Sequence, residues 1–286
     1  MPGGLRSGLT SLLGAALLAA CSGGGATTPD ASDRGLARVR VVVEANASDP
    51  HVALEAAFLR YHALSPADAA LIAGAPRWAT PVPGRCVTED DDASLDRVLE
   101  AASPEADVAL LDAGELVVDT DVGGLRVAPR YLPELLPFVA GVTYASRAPA
   151  GFAGSGGEIT LGGTGGGELA RFEVSAALPA SPVPVIDGEA APPVVELAGP
   201  PARLEVGWLG EGPGMLSIVV EGAGRRTRCW PAAAGAFALP REALALLTDG
   251  GTLAIERAIR VRMDLADLGP GALEVVSRES VPVRVW

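Results

Sequence analysis

The feature that most constrains the fold is an alternation of apolar and polar residues in short runs separated by glycine, proline and aspartate. Leu204, Val206 and Trp208 alternate with Glu205 and Gly207. Because successive side chains of a strand point to opposite faces, this period of two predicts half-buried strands. The pattern is repeated in LSIVVE, RTRCW, TLAIER, IRVRMDL, ALEVVS and VPVRVW. Beyond residue 190 the sequence therefore predicts seven short antiparallel strands, with one short helix at PREALALL that ends at Gly250.

Proline is dense in the segment from Ala177 to Val206, which predicts a linker or an extended strand between two bodies. We place a domain boundary near Ala190, giving a mainly β domain at 36–190 and a second domain at 191–286. The second domain resembles immunoglobulin-like or fibronectin-type sandwiches in architecture only, because it contains no internal cysteine pair. Such a resemblance implies a fold and not a function.

The first half also alternates, beginning with the strand ARVRVVVEA. SPADAALIAG predicts a helix with Ser65 as N-cap, Pro66 at the first position and Gly74 at the end. HVALEAAFLRYHAL fits a strand or a helix, and the turn-forming NASDP before it favours a strand returning along the first one.

Glycine clusters separate the later strands of the first half. DTDVGG, GFAGSGG and LGGTGGGE are each interpreted as hairpin loops, since none has the spacing of a phosphate-binding glycine motif before a helix. The expected fold is therefore mainly β, with two antiparallel β-sandwich-like modules and a few short helices.

The N-terminal residues predict export. Arg6 is followed by an apolar run too short to span a bilayer, and the run ends in Leu18-Ala19-Ala20-Cys21. This segment resembles a bacterial lipoprotein precursor, which implies a signal peptide at 1–20 and lipid, such as palmitate, on Cys21. In that family Ser22 implies the outer membrane. The small polar residues of 21–35 predict a flexible tether, so that the expected location is the cell envelope, with Cys21 in the lipid bilayer.

Composition excludes several classes of function. All 22 basic residues are arginine, which removes the P-loop, protein-kinase and Schiff-base chemistries that need lysine. A net charge of −13 disfavours nucleic acid, whose phosphates require a basic surface. The local cluster Arg225-Arg226-Thr227-Arg228 is interpreted as the solvated face of a strand, with an anion site as the alternative.

Candidate catalytic and metal-binding residues are few. His51 and His62 are too far apart on one helix or strand to share a metal, and no Gly-x-Ser-x-Gly elbow is present to form a triad with either. Asp90, Asp91 and Asp92 could bind calcium, but their spacing departs from an EF-hand loop, and an acidic helix start explains them better. No catalytic residue and no cofactor are therefore predicted.

The predicted function is a non-enzymatic binding or structural module of the cell envelope, whose partner is another envelope protein or a glycan. One alternative is a membrane-anchored hydrolase that uses two carboxylates in the manner of a glycosidase, since 35 acidic residues offer many pairs. A second alternative is a carbohydrate-binding module, with Trp230 pointing outward as an aromatic platform.

Once Cys21 is assigned to lipid, Cys86 and Cys229 remain as an even pair in an oxidising compartment. We therefore predict a disulfide that links the two halves, the alternative being that Cys229 is a buried free thiol.

Cys21 should carry lipid after removal of residues 1–20, and the Cys21→Ser variant should lose both processing and membrane retention, since the acyl chains alone hold the chain at the bilayer. Intact-mass analysis of the membrane fraction, compared with a Ser22→Ala control, measures this. A Cys21→Ser protein that is processed and retained like the parent contradicts the lipobox interpretation.

Overall fold

The alternating segments pair into one large sheet and two small ones. A computed structural model describes residues 34–44, 51–75, 81–89, 91–120, 123–132, 139–149, 157–232, 235–266 and 268–286. In the first half the elements are β1 (Arg34–Glu44), β2 (His51–His62), α1 (Pro66–Ile72), β3 (Arg85–Glu89), α2 (Asp91–Ala101), β4 (Asp107–Leu110), β5 (Leu116–Thr120), β6 (Gly123–Val127), β7 (Arg130–Tyr131), β8 (Val139–Pro149), β9 (Glu158–Gly163) and β10 (Phe172–Ala177).

The second half continues with β11 (Val183–Ile186), β12 (Glu189–Ala190), β13 (Val195–Leu197), β14 (Glu205–Leu209), β15 (Met215–Gly222), β16 (Arg225–Trp230), β17 (Ala236–Ala238), α3 (Arg241–Leu244), a 3-10 turn at Ala245–Leu247, β18 (Gly251–Leu265) and β19 (Gly269–Val285). The prediction of a mainly β protein with a few short helices is confirmed.

The large sheet has the strand order β3-β16-β15-β18-β19-β1-β2-β4-β8-β7, with β13 pairing beside β19 and β2 also pairing with β8. Most neighbours are antiparallel, but β1 and β13 are parallel to β19, and β4 is parallel to β8. Strands from both ends of the sequence therefore meet at the centre of this sheet.

The two small sheets have the orders β10-β9-β5-β6 and β12-β11-β14-β17. Val118 and Leu161 of the first share a core with Val39 and Val41 of β1. Val206 of the second shares a different core with residues of β15, β18 and β19, namely Ile218, Val220, Leu253, Ile255, Val281 and Val283. Both cores lie on one face of the large sheet, which makes the architecture sandwich-like.

Two long antiparallel strands replace four of the predicted short ones. TLAIER and IRVRMDL are continuous in β18, and ALEVVS and VPVRVW are continuous in β19. Glu256 and Arg257 interrupt the apolar pattern without ending the strand, because each is buried and makes side-chain hydrogen bonds. The sequence pattern indicated strand correctly but could not show these partners.

The sheets extend across the boundary predicted near Ala190. Parallel pairing of β1 with β19 runs from Ala37 opposite Gly271 to Glu44 opposite Arg278. Ala190 itself ends β12, and the chain from residue 33 to residue 286 forms one compact unit. The two predicted modules therefore share a sheet.

Several local predictions are confirmed. HVALEAAFLRYH forms β2, antiparallel to β1 along its whole length. The Ser65 side chain caps α1 by accepting a hydrogen bond from the Asp68 backbone N–H at 3.1 Å, and Pro66 begins the helix. Gly74 follows with φ +61°, the left-handed conformation expected of glycine after a helix.

The predicted hairpins are also present where the structure describes them. DTDVGG connects β5 to β6, and LGGTGGGE connects β9 to β10. The GFAGSGG loop lies outside the described residues except for Gly157. The proline-dense segment from Ala177 to Val206 contains three short strands, β11, β12 and β13, which is the extended alternative of the two considered.

A disulfide joins Cys86 in β3 to Cys229 in β16, where the two residues lie directly opposite each other. The prediction of this bridge is confirmed, and it ties β3, at the edge of the large sheet, to its neighbour β16 across a sequence separation of 143 residues.

Replacing both cysteines, Cys86→Ala with Cys229→Ala, should lower the free energy of unfolding by on the order of 4 kcal/mol, because the bridge restricts a long loop in the unfolded chain. Chemical denaturation of the exported protein, with and without reductant, measures this. The reductant should change the parent but not the double variant, and two free thiols in the unreduced parent would contradict the bridge.

Candidate functional site

Along β1, β18 and β19, the face of the large sheet opposite the two cores is charged, whereas along β2 and β4 that face carries a third core under α1 and α2. In β1 the residues that alternate with the core residues Ala37, Val39, Val41 and Val43 are Arg38, Arg40, Val42 and Glu44. The register places Arg40 beside Glu274 of β19 and Glu44 beside Arg278. Because directly opposed residues project from the same face, opposite charges on neighbouring strands lie next to each other.

Glu256 of β18 is at the centre of this charged face. Its Oε2 accepts hydrogen bonds from Arg40 Nη2 at 2.9 Å and from Arg228 Nη1, and its Oε1 lies 3.5 Å from Arg278 Nη1. The side chain is only 1% exposed. One buried carboxylate therefore contacts arginines from three other strands, β1, β16 and β19.

The pKa of Glu256 reflects two opposing effects. Burial acts to raise it, but the positive charges of Arg40, Arg228 and Arg278 together lower it from the ordinary value of 4.5 to about 2. Glu256 is therefore ionised at neutral pH, and it accepts hydrogen bonds without being able to donate a proton.

Three further glutamates neutralise the surrounding arginines. The Glu274 carboxylate lies 3.5 Å from Arg40 Nε and 2.9 Å from Arg260 Nη2. Glu221 accepts from Arg226 Nε at 2.8 Å and from Arg278 Nη2 at 3.2 Å. Glu44 lies 3.9 Å from Arg278 Nε. These contacts hold the guanidinium groups in fixed orientations.

A cleft of about 570 Å³ opens beside this network, where β1, β2, β7 and β8 meet residues of β16 and β19. The cationic side chains that line it are Arg40, Arg130, Arg147, Arg226 and Arg278, and the acidic ones are Glu44 and Glu55. The lining therefore has an excess of three positive charges, although the whole chain has a net charge of −13. His51 also lines the cleft.

The two histidines lie at opposite ends of β2. His51 contacts Glu44 and Arg147, whereas His62 is paired in register with Asp107 of β4. Only His51 belongs to the cleft.

The other predicted site residues lie elsewhere or outside the described residues. Cys21 and Asp90 are outside them, and Asp91 and Asp92 begin α2, as the acidic helix start predicts. Within the described part of the chain, no group of three or more His, Cys, Asp or Glu side chains could hold a metal ion. Within the same residues, no helix has both the length and the apolar character needed to cross a membrane.

Arg228 and Trp230 of β16 lie on the face opposite Cys229, as predicted, but the prediction that they are exposed is wrong. Arg228 was expected on a solvated face, but its side chain is 11% exposed and donates to Ser217 Oγ at 3.0 Å as well as to Glu256. Trp230 was expected to point outward, but it is 3% exposed. Trp230 is therefore not available as a platform for a sugar.

The sequence reasoning missed the charged face because arginines alternating with valines in β1 indicated only a half-buried strand. The available signal was the recurrence of arginine and glutamate at alternate positions of β1, β18 and β19, which becomes a cluster once the strands are in register.

No known family model matches this chain, and a search of curated proteins finds no significant similarity.

The Glu256→Gln variant should lower the free energy of unfolding at pH 7 by about 3 to 5 kcal/mol, because three partly buried arginines lose a shared counter-charge. The pKa of Glu256 is lowered by folding, so its contribution is fully present above about pH 4.5 and is lost as the pH falls towards 2. The difference between parent and variant should therefore shrink between pH 5 and pH 2, as chemical denaturation can measure.

Glu205→Gln is the matched control, because Glu205 pairs with Arg203 in an exposed salt bridge at 3.3 Å. Glu205→Gln should lower the free energy of unfolding by less than about 1 kcal/mol. Equal losses in the two variants at pH 7 would show that the Glu256 network does not carry the stability assigned to it.

Proposed function

We propose that this chain is a lipid-anchored, non-enzymatic binding protein of the bacterial cell envelope, and that its arginine-lined cleft binds an anionic ligand. The anchor rests on Leu18-Ala19-Ala20-Cys21, which would place lipid on Cys21, and on the polar tether that follows. The outer membrane is the proposed location, because Ser22 follows Cys21 and serine at that position implies this membrane in the lipoprotein family.

The observation that carries the binding proposal is the reversal of charge in the cleft. Five arginines face two glutamates there, within a chain whose net charge is −13. A concave surface lined by one sign of charge concentrates the field and attracts small ions of the opposite sign. An anion is therefore the ligand class that the lining supports.

The five arginines divide into two groups. Arg40, Arg226 and Arg278 contact the glutamates of the charged face, which fixes their positions. Arg130 and Arg147 lie on β7 and β8, are exposed, and stand at the opposite side of the cleft. We assign the principal ligand contacts to these two, because a guanidinium fork can donate two parallel hydrogen bonds to a carboxylate, sulfate or phosphate.

The size of the cleft favours a small molecule or a short segment of an acidic glycan. A volume of about 570 Å³ lies within the range of small-molecule sites. A nucleic acid is a poor candidate, because the acidic remainder of the surface would repel its backbone. A glycan partner of the envelope stays compatible with this proposal if it carries negative charge.

The two carboxylates of the cleft, Glu44 and Glu55, are those that a glycosidase-like hydrolase would have to use. Glu44 is engaged with Arg278 and His51, so its carboxylate already has two partners within the protein. We therefore propose binding rather than hydrolysis, and the binding assay includes product analysis to separate the two.

Sucrose octasulfate is a suitable probe, since it is an anionic disaccharide whose sulfate oxygens can accept hydrogen bonds from arginine. Isothermal titration calorimetry should detect binding that weakens as salt is added, and no binding of uncharged sucrose. The double variant Arg130→Gln with Arg147→Gln should weaken binding by about tenfold or more, because it loses at least one strong hydrogen bond between a guanidinium group and the anion.

The control is Arg126→Gln with Arg262→Gln, which removes the same charge from two exposed arginines outside the cleft, paired with Glu115 and Asp264. This control should bind within about twofold of the parent. If both double variants weaken equally, the effect is one of net charge and the cleft is not the site. Appearance of cleaved sugar would instead support the hydrolase.

A further inference from the structure

Glu55 of β2 is an exposed acidic residue among the arginines that line the cleft. The register places it directly opposite Arg40 of β1, on the same face of the sheet. The Arg40 guanidinium nevertheless points away from β2, towards Glu256 at 2.9 Å and Glu274 at 3.5 Å. Among the residues that the structure describes, none forms a hydrogen bond or an ion pair with the Glu55 side chain.

Arg130 of β7 is the corresponding cation on the other side of β8. It is exposed, lines the cleft, and has no hydrogen bond or ion pair with any described residue. Arg130 is opposite Thr143 of β8, and Glu55 is opposite Ala145, two residues further along the same strand. Residues two apart share a face, so both charges project into the cleft, from positions about 12 Å apart given two strand spacings and two residues along β8.

The arginines on the opposite wall of the cleft already have carboxylate partners. Arg40 contacts Glu256, and both Arg226 and Arg278 contact Glu221. These contacts offset much of the positive charge of that wall before any ligand binds. The lining therefore offers a ligand two oppositely charged side chains that have no partner within the described chain, one on each side of β8.

We propose that the ligand of the cleft is a zwitterion, whose anionic group is bound by Arg130 and whose ammonium group is bound by Glu55. This inference rests on the proposed function and narrows its ligand class. A guanidinium group and an ammonium group have only donors, whereas a carboxylate and a sulfate or phosphate ester have acceptors, so each contact is a charged hydrogen bond. An amino sugar that carries a sulfate or phosphate ester has the two groups at opposite ends of one ring, as the separated positions of the two residues require.

The test compares glucosamine 6-sulfate with glucose 6-sulfate, which differ only in the ammonium group that replaces the hydroxyl at C2. At about pH 6 the amine is protonated and the sulfate ester is ionised. Isothermal titration calorimetry of the full chain should show about fivefold or more tighter binding of glucosamine 6-sulfate, because only this sugar can donate a charged hydrogen bond to Glu55. The Glu55→Gln variant should bind the two sugars within about twofold of each other, since the neutral amide cannot neutralise the ammonium group.

Glu173→Gln is the matched control, because Glu173 is an exposed glutamate of a strand, β10, and lies outside the cleft. This control removes the same charge and should keep the preference of the parent for the amino sugar. Circular dichroism verifies that each variant is folded.

The outcomes separate this inference from the proposed function. If the parent binds sucrose octasulfate but does not prefer glucosamine 6-sulfate, or if the preference survives in Glu55→Gln, the inference is overturned while the binding proposal stands. Equal loss of the preference in Glu55→Gln and Glu173→Gln would also overturn it, since the effect would then be one of net charge. Absence of binding of all three sugar sulfates overturns the proposed function, and this inference with it.

Discussion

The buried carboxylate of Glu256 is the charge around which the strands at the centre of the large sheet meet. Glu256 contacts arginines from β1, β16 and β19, so a single carboxylate links strands that are far apart in the sequence. A buried ion is costly unless it is paired and hydrogen-bonded, and the three arginines meet that requirement. The guanidinium group of Arg278 is in turn held by Glu221 and Glu44, that of Arg40 by Glu274, and that of Arg228 by the Ser217 hydroxyl. The same contacts that neutralise Glu256 therefore fix one wall of the cleft.

Arg257, the next residue of β18, makes hydrogen bonds on the opposite face of the sheet. Arg257 is almost fully buried, and it donates to the backbone carbonyls of Ala180 and Gly210 at 2.9 and 2.5 Å. These carbonyls belong to the segments that precede β11 and β15, and burial lowers the pKa of the arginine. Ser277, directly opposite in β19, donates to the carbonyl of Pro179. Arg257 therefore binds loop carbonyls on one face of β18, and Glu256 binds arginines of other strands on the opposite face.

Local patterns predicted much of the secondary structure. The caps of α1, the turn between β5 and β6, and the strand nature of β2 depend on neighbours within a few residues, which the sequence displays directly. The disulfide was predicted because Cys86 and Cys229 remain as a pair once Cys21 is assigned to lipid, and because export implies an oxidising compartment. The continuity of β18 and β19 and the buried positions of Arg228 and Trp230 were not predicted, because each depends on what lies across the sheet.

The sequence by itself determined that this chain is mainly β and that its side chains include arginine but no lysine. Only the tertiary structure decided that charges dispersed from Arg40 to Arg278 form one network with a cationic cleft beside it. The physical reason is register. Alternation shows which residues share a face of one strand, but the neighbours of that face are set by pairings between distant segments, such as β1 with β19.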